Sequence, residues 1–220
     1  MYNVQDRIIF IDAEAIVIDK PAGLAVHPGP ATRECLEDSL GELRFGFMRT
    51  PAPVHRLDRD TSGCLLLARN PKAHKRFARM FEEGRVEKTY VAVLEGIPPG
   101  AEGLIDLALT KTSSPERGWR MVPDPAGQPA VTEWRTIAEA GGRALVRFAP
   151  RTGRTHQIRV HAAIGLGLPI VGDPIYGRGR GSMLLHAFAL RVPRDPKPAV
   201  DARAPLPERF ADAGFDDAGL

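Results

Sequence analysis

Val54 His55 Arg56 Leu57 Asp58 Arg59 Asp60 Thr61 Ser62 Gly63 runs without a break into Cys64 Leu65 Leu66 Leu67 Ala68. Two carboxylates, two guanidiniums, an imidazole and two hydroxyls thus precede an apolar run of strand length, which reads as a buried strand. Charge beside a core-bound strand is costly unless it is paired or used. Composition alone allows a solvated turn here, bent by Asp60 or Thr61 and relaxed by Gly63. A second polar block, Arg151 Thr152 Gly153 Arg154 Thr155 His156 Gln157 Ile158 Arg159 Val160 His161, tips the balance. An excess of cations there, set against the acid at Asp58, points to one site split between two distant segments. In such a site an arginine keeps a carboxylate ionised through a charge-assisted hydrogen bond.

Outward from these blocks the chain alternates short strands and short helices. Ile8 to Ile11 and Ile16 to Ile18 read as a hairpin, and Lys20 Pro21 Ala22 Gly23 as a turn. Thr32 can cap a helix carrying Leu36, Leu40 and Leu43 at i, i+4, i+7. Asn70 Pro71 opens a second helix with Ala73, Phe77, Met80 and Phe81 on its inner face, a basic outer face and a stop at Gly84. Lys88 to Leu94 is a strand opening on Tyr90, residues 98–103 are loop, and Ile105 to Leu109 is a strand. Residues 111–129 form a long exposed connection around Trp119, with room for a hairpin; a tryptophan beside arginines can clamp RNA by stacking. Two alternating strands follow, at residues 131–137 and 144–148. A helix capped by Thr155 then runs to Ile164, and a last strand covers residues 184–190 before a proline-rich tail lying over the surface. Without regular β-α alternation this is an α+β fold with a mixed, largely antiparallel sheet and flanking helices.

The 220 residues, 43% hydrophobic and 26% charged, suit a single catalytic domain over residues 1–210, with the acidic tail 211–220 a candidate for disorder. Net charge is only +3, but residues 143–180 hold seven arginines against one acid, Asp173, as a localised nucleic-acid footprint would. The start is not a signal sequence, and no apolar run approaches the roughly 20 residues of a membrane helix. Two cysteines, Cys35 and Cys64, without CxxC spacing fit a reducing cytoplasm and argue against structural zinc.

The string His55 Arg56 Leu57 Asp58 with Thr61 Ser62 Gly63, then Lys88 Thr89 Tyr90, then the block from Arg151 to His161, resembles the RluA family of pseudouridine synthases. The likeness extends to Asp19 Lys20 Pro21 Ala22 Gly23 Leu24, to Gly172 Asp173 Pro174 Ile175 Tyr176 Gly177 and to Leu184 Leu185 His186 Ala187, so it covers nearly the whole chain. It implies a bisected sheet around a central catalytic cleft, in a short form lacking the family's N-terminal accessory RNA-binding domain. It also implies isomerisation of uridine to pseudouridine in a structured ribosomal or transfer RNA hairpin loop, with no cofactor and no metal. The resemblance makes Asp58 the catalytic carboxylate, acting on sugar, on base or as a proton acceptor. Arg159 would hold Asp58 ionised, and Tyr90 would stack on the base. Arg56 would fill the space left by a flipped nucleotide, and Arg154, Thr155 and His156 would contact RNA. Asp19 stands where asparagine is common in the family and Leu168 where histidine is, which bears on loop geometry and target choice rather than chemistry. The expected particle is a monomer.

Three rivals are weaker. Metal-dependent hydrolysis could draw on His55, His156, His161 and His186, but the spacing of five between His156 and His161 suits one helical face poorly. A glycosidase pair of Asp58 and Asp60, two residues apart, would not flank a substrate. A non-catalytic RNA-binding module explains the basic segment but gives Asp58 no work.

Overall fold

The computed structural model describes all residues except Met1, Tyr2, Pro30, Ala31, Arg33 and Arg117; the reading of the first residues for a signal therefore lies partly outside the described residues. Strands β1 (Ile8–Ile11) and β2 (Ala15–Lys20) pair antiparallel, as their β-branched runs predict. The Asp12 carboxylate closes their turn by accepting from the N–H groups of Glu14 and Ala15, both at 2.8 Å. The leucine-spaced helix is present at Leu36–Leu43, but as a 3-10 helix starting after Cys35 rather than from Thr32, because the Asp38 side chain accepts from the Cys35 N–H at 2.8 Å. β3 (Ala52–Pro53) pairs with β4 (Ser62–Ala68), whose seven residues are all buried. Helix α1 (Pro71–Glu82) begins where the Asn70 side chain accepts from the Ala73 N–H at 2.9 Å, with proline at the first helical position. It buries Ala73, Phe77 and Met80 against Cys64, Leu66 and Ala68 of β4. Burying Phe77 and Met80 contributes on the order of 3–5 kcal/mol.

β5 (Glu87–Leu94) follows as expected. The next stretch does not: β6 (Glu102–Asp106) already includes Glu102 and Gly103, and the single strand expected over residues 105–109 breaks after Asp106. Leu107 turns its N–H to the Ala130 carbonyl, and Leu109 starts β7 (Leu109–Ser114), which pairs with β8 (Gly118–Pro123) as the hairpin inside the long connection. β9 (Val131–Ala140) and β10 (Arg143–Pro150) meet across Gly141 and Gly142, at φ 57° and 74°; a two-residue hairpin loop of this hand takes glycine without strain. The Thr155-capped helix is shorter than expected. α2 spans only Gln157–Val160 and passes into a π turn at His161–Gly165, because His156 sits in the left-handed region at φ 52° and blocks an earlier start. β11 (Leu185–Arg194) runs beyond residue 190, and the tail expected on the surface is instead β12 (Lys197–Arg203), paired antiparallel with β11. α3 (Glu208–Ala211) and the turn after it bury Phe210 and Phe215.

The chain divides into two compact units, residues 1–88 with 187–205 and residues 89–186 with 206–220. In the first, β1, β2 and β4 lie side by side, β3 extends the edge of β4, and β11 carries β12. In the second, β5, β10, β9 and β6 form the run, with the β7–β8 hairpin separate. Printed in sequence as a polar interruption between two strands, Asp12 and Glu14 become the hub of an ion network in the first unit. Glu14 meets Arg76 at 2.7 Å, Lys197 at 3.0 Å and Arg194 at 3.4 Å, and Asp12 meets the buried Arg194 at 2.7 Å. The Arg76 hydrogen bonds, offset in part by burial and reinforced by Lys197, lower the Glu14 pKa to about 2. A depressed carboxylate stabilises the fold above its unfolded pKa, and that contribution is lost as pH falls through the folded value. Glu14→Gln is therefore expected to cost roughly 1–3 kcal/mol in urea melts at pH 7, shrinking progressively as pH falls from about 4.5 towards 2. A cost independent of pH would remove the ionic account.

Candidate active site

In the first unit the loop carrying Asp58 is fixed through its backbone. Lys20, wholly buried at the end of β2, donates from Nζ to the carbonyls of Pro21 and Leu24 at 2.8 Å and of Arg59 at 3.1 Å. The Gly23 N–H donates to that same Arg59 carbonyl at 2.9 Å, and Arg59 Nε returns a bond to the Gly23 carbonyl at 3.0 Å. The turn closes with the Thr61 N–H on the Asp58 carbonyl at 3.1 Å. An ammonium whose three protons meet three carbonyls is a buried charge satisfied by dipoles, so the two loops form one staple. His55 braces the loop from the other side: its Nε2 accepts from the Leu66 N–H at 3.0 Å and its ring stacks on Phe81 at 4.5 Å. Burial, with the Lys88 charge adding to it, holds the His55 pKa down to about 3, so the ring stays neutral and the acceptor persists. Gly63 adopts φ 106°, and any Cβ there would collide with the Ala187 carbonyl on β11. Leu57 is buried, Asp58 half-buried and Arg56 exposed. The backbone of the loop is thus held, with Arg56 on its exposed side and Asp58 half-buried.

In the second unit Tyr90 lies on β5 opposite Phe148 of β10 and packs, half-buried, against the cluster containing Ile158, Ala162 and Leu185. Arg159, 4% exposed, is gripped by Asp173, which is fully buried: Nε donates to Oδ2 and Nη2 to Oδ1, both at 2.8 Å. Asp173 Oδ1 also accepts from the N–H groups of Ile175 and Tyr176 at 2.8 and 3.0 Å. Burial alone would raise this pKa, but the Arg159 bonds and charge, with the two N–H donors, bring it below the ordinary carboxylate value. From the sequence alone Asp173 is assigned no role in the site. The signal that could have found it is its isolation as the one acid among seven arginines.

Gln157 does the local work expected of Thr155. Its Oε1 accepts from Thr152 Oγ1 at 2.8 Å and from the Arg154 N–H at 2.9 Å, while Nε2 donates to the Val131 carbonyl and Thr132 Oγ1. Thr155 is left exposed, and Arg154 is half-buried with Nε on the Pro129 carbonyl at 3.0 Å. His156 is buried between two aromatics: its ring stacks on Trp119 at 4.8 Å, and Nδ1 shares a 2.9 Å hydrogen bond with the Tyr176 hydroxyl. That hydroxyl also accepts from the Met121 N–H at 2.9 Å, which ties the β7–β8 hairpin to the loop of Asp173. Trp119 itself remains 45% exposed, with Lys111 Nζ 5.2 Å from its ring centre.

The first unit therefore carries Arg56 and Asp58, and the second carries Tyr90, Arg154, Thr155, His156 and Arg159. His161, a member of the rival metal set, is bonded through Nδ1 to Thr132 Oγ1 and through Nε2 to the Leu107 carbonyl. Burial pushes the Cys64 thiol up to about 12, which makes it a packing residue rather than a nucleophile.

A family model described as RNA pseudouridylate synthase matches residues 14–163. The chain is 57% identical over 213 residues to an uncharacterized RNA pseudouridine synthase of Zymomonas mobilis, covering 95% of this chain and 97% of that protein. It is 35% identical to the ribosomal large subunit pseudouridine synthase D of the same organism, with 84% of this chain covered and 61% of that longer protein. Among solved structures, human RNA pseudouridylate synthase domain containing 4 superposes with a TM-score of 0.81 at 26% identity, covering 94% of this chain and 91% of that one. Together with the Asp58 and Arg159 blocks at their ordered separations, these likenesses make the chain a member of the RluA family of RNA pseudouridine synthases, with the α+β fold of that family.

Proposed function

We propose that this enzyme isomerises a uridine in a hairpin loop of ribosomal RNA, as a cytoplasmic monomer, with Asp58 as its catalytic carboxylate. The observation that carries the Asp58 assignment is the staple beneath it: the Nζ of the fully buried Lys20 and the Gly23 N–H both grip the Arg59 carbonyl, so the backbone beside the half-buried Asp58 is held in place. The reaction breaks the N1–C1′ bond of uridine and forms a C5–C1′ bond. One proton leaves C5 and one is gained at N1, so atoms and electrons balance without an external reagent. An ionised carboxylate beside the anomeric carbon serves this chemistry whether it attacks the sugar, attacks the base or takes a proton. Tyr90 retains the detached base by stacking. Arg159, oriented by Asp173, supplies a guanidinium to the reaction. Arg56, exposed on the same loop as Asp58, occupies the stack vacated by the flipped nucleotide.

Arg154, Thr155 and the His156–Trp119 stack are the RNA-contacting group of the second unit. The half-exposed indole, backed by a histidine and flanked by a lysine, has the make-up of a base-stacking platform. Trp119→Ala is expected to weaken RNA binding by about tenfold while leaving turnover at saturation within a few-fold. Unchanged affinity would return Trp119 to a purely structural role. Ribosomal RNA is ranked ahead of transfer RNA because relatives from several organisms are named for the ribosomal large subunit. Mass-spectrometric mapping of pseudouridine in unmodified ribosomal and transfer RNA transcripts incubated with the enzyme tests the target. New pseudouridine in the transfer RNA alone would overturn the ribosomal assignment, and none in either would support a non-catalytic RNA-binding module.

A further inference from the structure

Beyond the last turn of the Leu36–Leu43 helix, Arg44 Phe45 Gly46 Phe47 Met48 Arg49 keeps three large apolar side chains in water: Phe45 is 46% exposed, Phe47 38% and Met48 95%. Leaving so much apolar surface exposed within four residues is unfavourable unless something covers it. The loop is nevertheless built, not frayed. The buried Arg69 lies under it, with Nη2 donating to the Arg44 carbonyl at 3.3 Å and its guanidinium 3.9 Å from the Phe47 ring centre. Arg44 Nε donates to Thr50 Oγ1 at 3.0 Å, and the Phe47 N–H closes a turn on the Arg44 carbonyl at 2.9 Å. Phe45 is held at φ 43°, a left-handed conformation that non-glycine residues rarely adopt and that persists only where the surroundings impose it. Two arginines bracket these apolar groups, with the exposed Glu42 just before them. Arg44 and Arg49 are exposed with no acid between them, and β3 leads the loop to the end of β4, where α1 begins with the exposed Lys72.

Aromatic faces interleaved with cations bind single-stranded nucleic acid: bases stack on the rings while the cations meet phosphates. We propose that this loop is a second RNA-binding site, an exosite that takes an unpaired segment of the substrate RNA outside the target nucleotide. The proposal rests on the family's RNA substrate but not on the choice of target or on the role of Asp58. The seven residues of β4 separate the loop from the Asp58 turn by roughly 20 Å, so the segment bound here is several nucleotides from the uridine at Asp58.

The test uses the full chain and a fluorescein-labelled oligoadenylate, which stacks well and contains no uridine. Phe45→Ser with Met48→Ser removes one exposed stacking ring and one exposed apolar contact and leaves the Phe47–Arg69 contact in place, so an unchanged melting temperature is expected. Anisotropy titration should show oligoadenylate affinity falling about tenfold or more. Arg49→Glu with Lys72→Glu should reduce the salt dependence of binding, lowering the slope by about 1.4 for two lost phosphate contacts. On a long transcript of whichever RNA the mapping experiment shows the enzyme to modify, the serine variant should raise KM about tenfold with kcat unchanged, and on the minimal stem-loop from that RNA it should match wild type. Unchanged oligoadenylate affinity, absence of binding by the wild-type chain, or an equal loss on both RNA substrates would each overturn the exosite. Isomerisation by the wild-type enzyme is read in the same assays, so failure of the exosite is distinguishable from failure of the synthase reading.

Discussion

Asp58→Asn is expected to lower pseudouridine formation by about ten-thousand-fold or more while leaving RNA affinity within a few-fold and the melting temperature nearly unchanged. The large effect follows from the chemistry: a neutral amide neither stabilises positive charge at the anomeric carbon, nor attacks, nor accepts a proton. The small effects follow from the geometry. The Asp58 carbonyl accepts from the Thr61 N–H and the Arg59 carbonyl from Lys20 and Gly23, and asparagine preserves these main-chain bonds. Quantifying pseudouridine by mass spectrometry alongside a binding titration separates the two. Turnover within tenfold of wild type would remove Asp58 from the chemistry. A collapse of stability would instead mark it as a structural ion-pair member.

The second large effect is expected at the Arg159–Asp173 pair, and it is one of stability as well as activity. Arg159→Ala strands a carboxylate with no solvent exposure, and breaking such a pair by removing one partner costs about 3–5 kcal/mol. The pH dependence reverses between wild type and variant. In the wild type the Asp173 pKa lies below its unfolded value, so the pair stabilises the fold above about pH 4 and that contribution is lost as pH falls further. In the variant only burial and two N–H donors act on the carboxyl, burial favours its neutral form, and the variant's deficit should shrink as pH falls towards 4. Urea melts at pH 7 and pH 4.5 check this. A double variant, Arg159→Met with Asp173→Leu, should recover much of the lost stability because no unpaired charge remains. If it recovers stability without activity, the guanidinium serves the reaction as well as the fold; recovery of both would reduce Arg159 to a structural residue.

Much of this architecture was legible from local pattern. The spacing of Ala73, Phe77 and Met80 behind Asn70 and Pro71 specified α1, and the apolar run after Gly63 specified β4, because helix periodicity, caps and buried runs are written within a few neighbouring residues. The segments misjudged are those where a distant partner overrides local preference. Residues beyond 192 look like proline-rich coil, yet β11 offers an edge for β12. Thr155 looks like a cap, yet the Gln157 side chain reaches back to Thr152 and Arg154 and takes that place.

By itself, then, the sequence determined the chemical alphabet of this enzyme: an acid in a polar turn entering a buried strand, an arginine-rich block far along the chain, and the ordered motifs that tie both to one family. Only the tertiary structure decided how those charges are used. Arg159 is committed on its Nε and Nη2 edge to Asp173, Lys20 is spent on three carbonyls under the Asp58 loop, and His156 is wedged between Trp119 and Tyr176. The reason is physical. A strand or helix follows from interactions between near neighbours in sequence, whereas an ion pair or a buried hydrogen bond forms only where the folded backbone brings two groups within about 3 Å and removes the water that would otherwise compete for them.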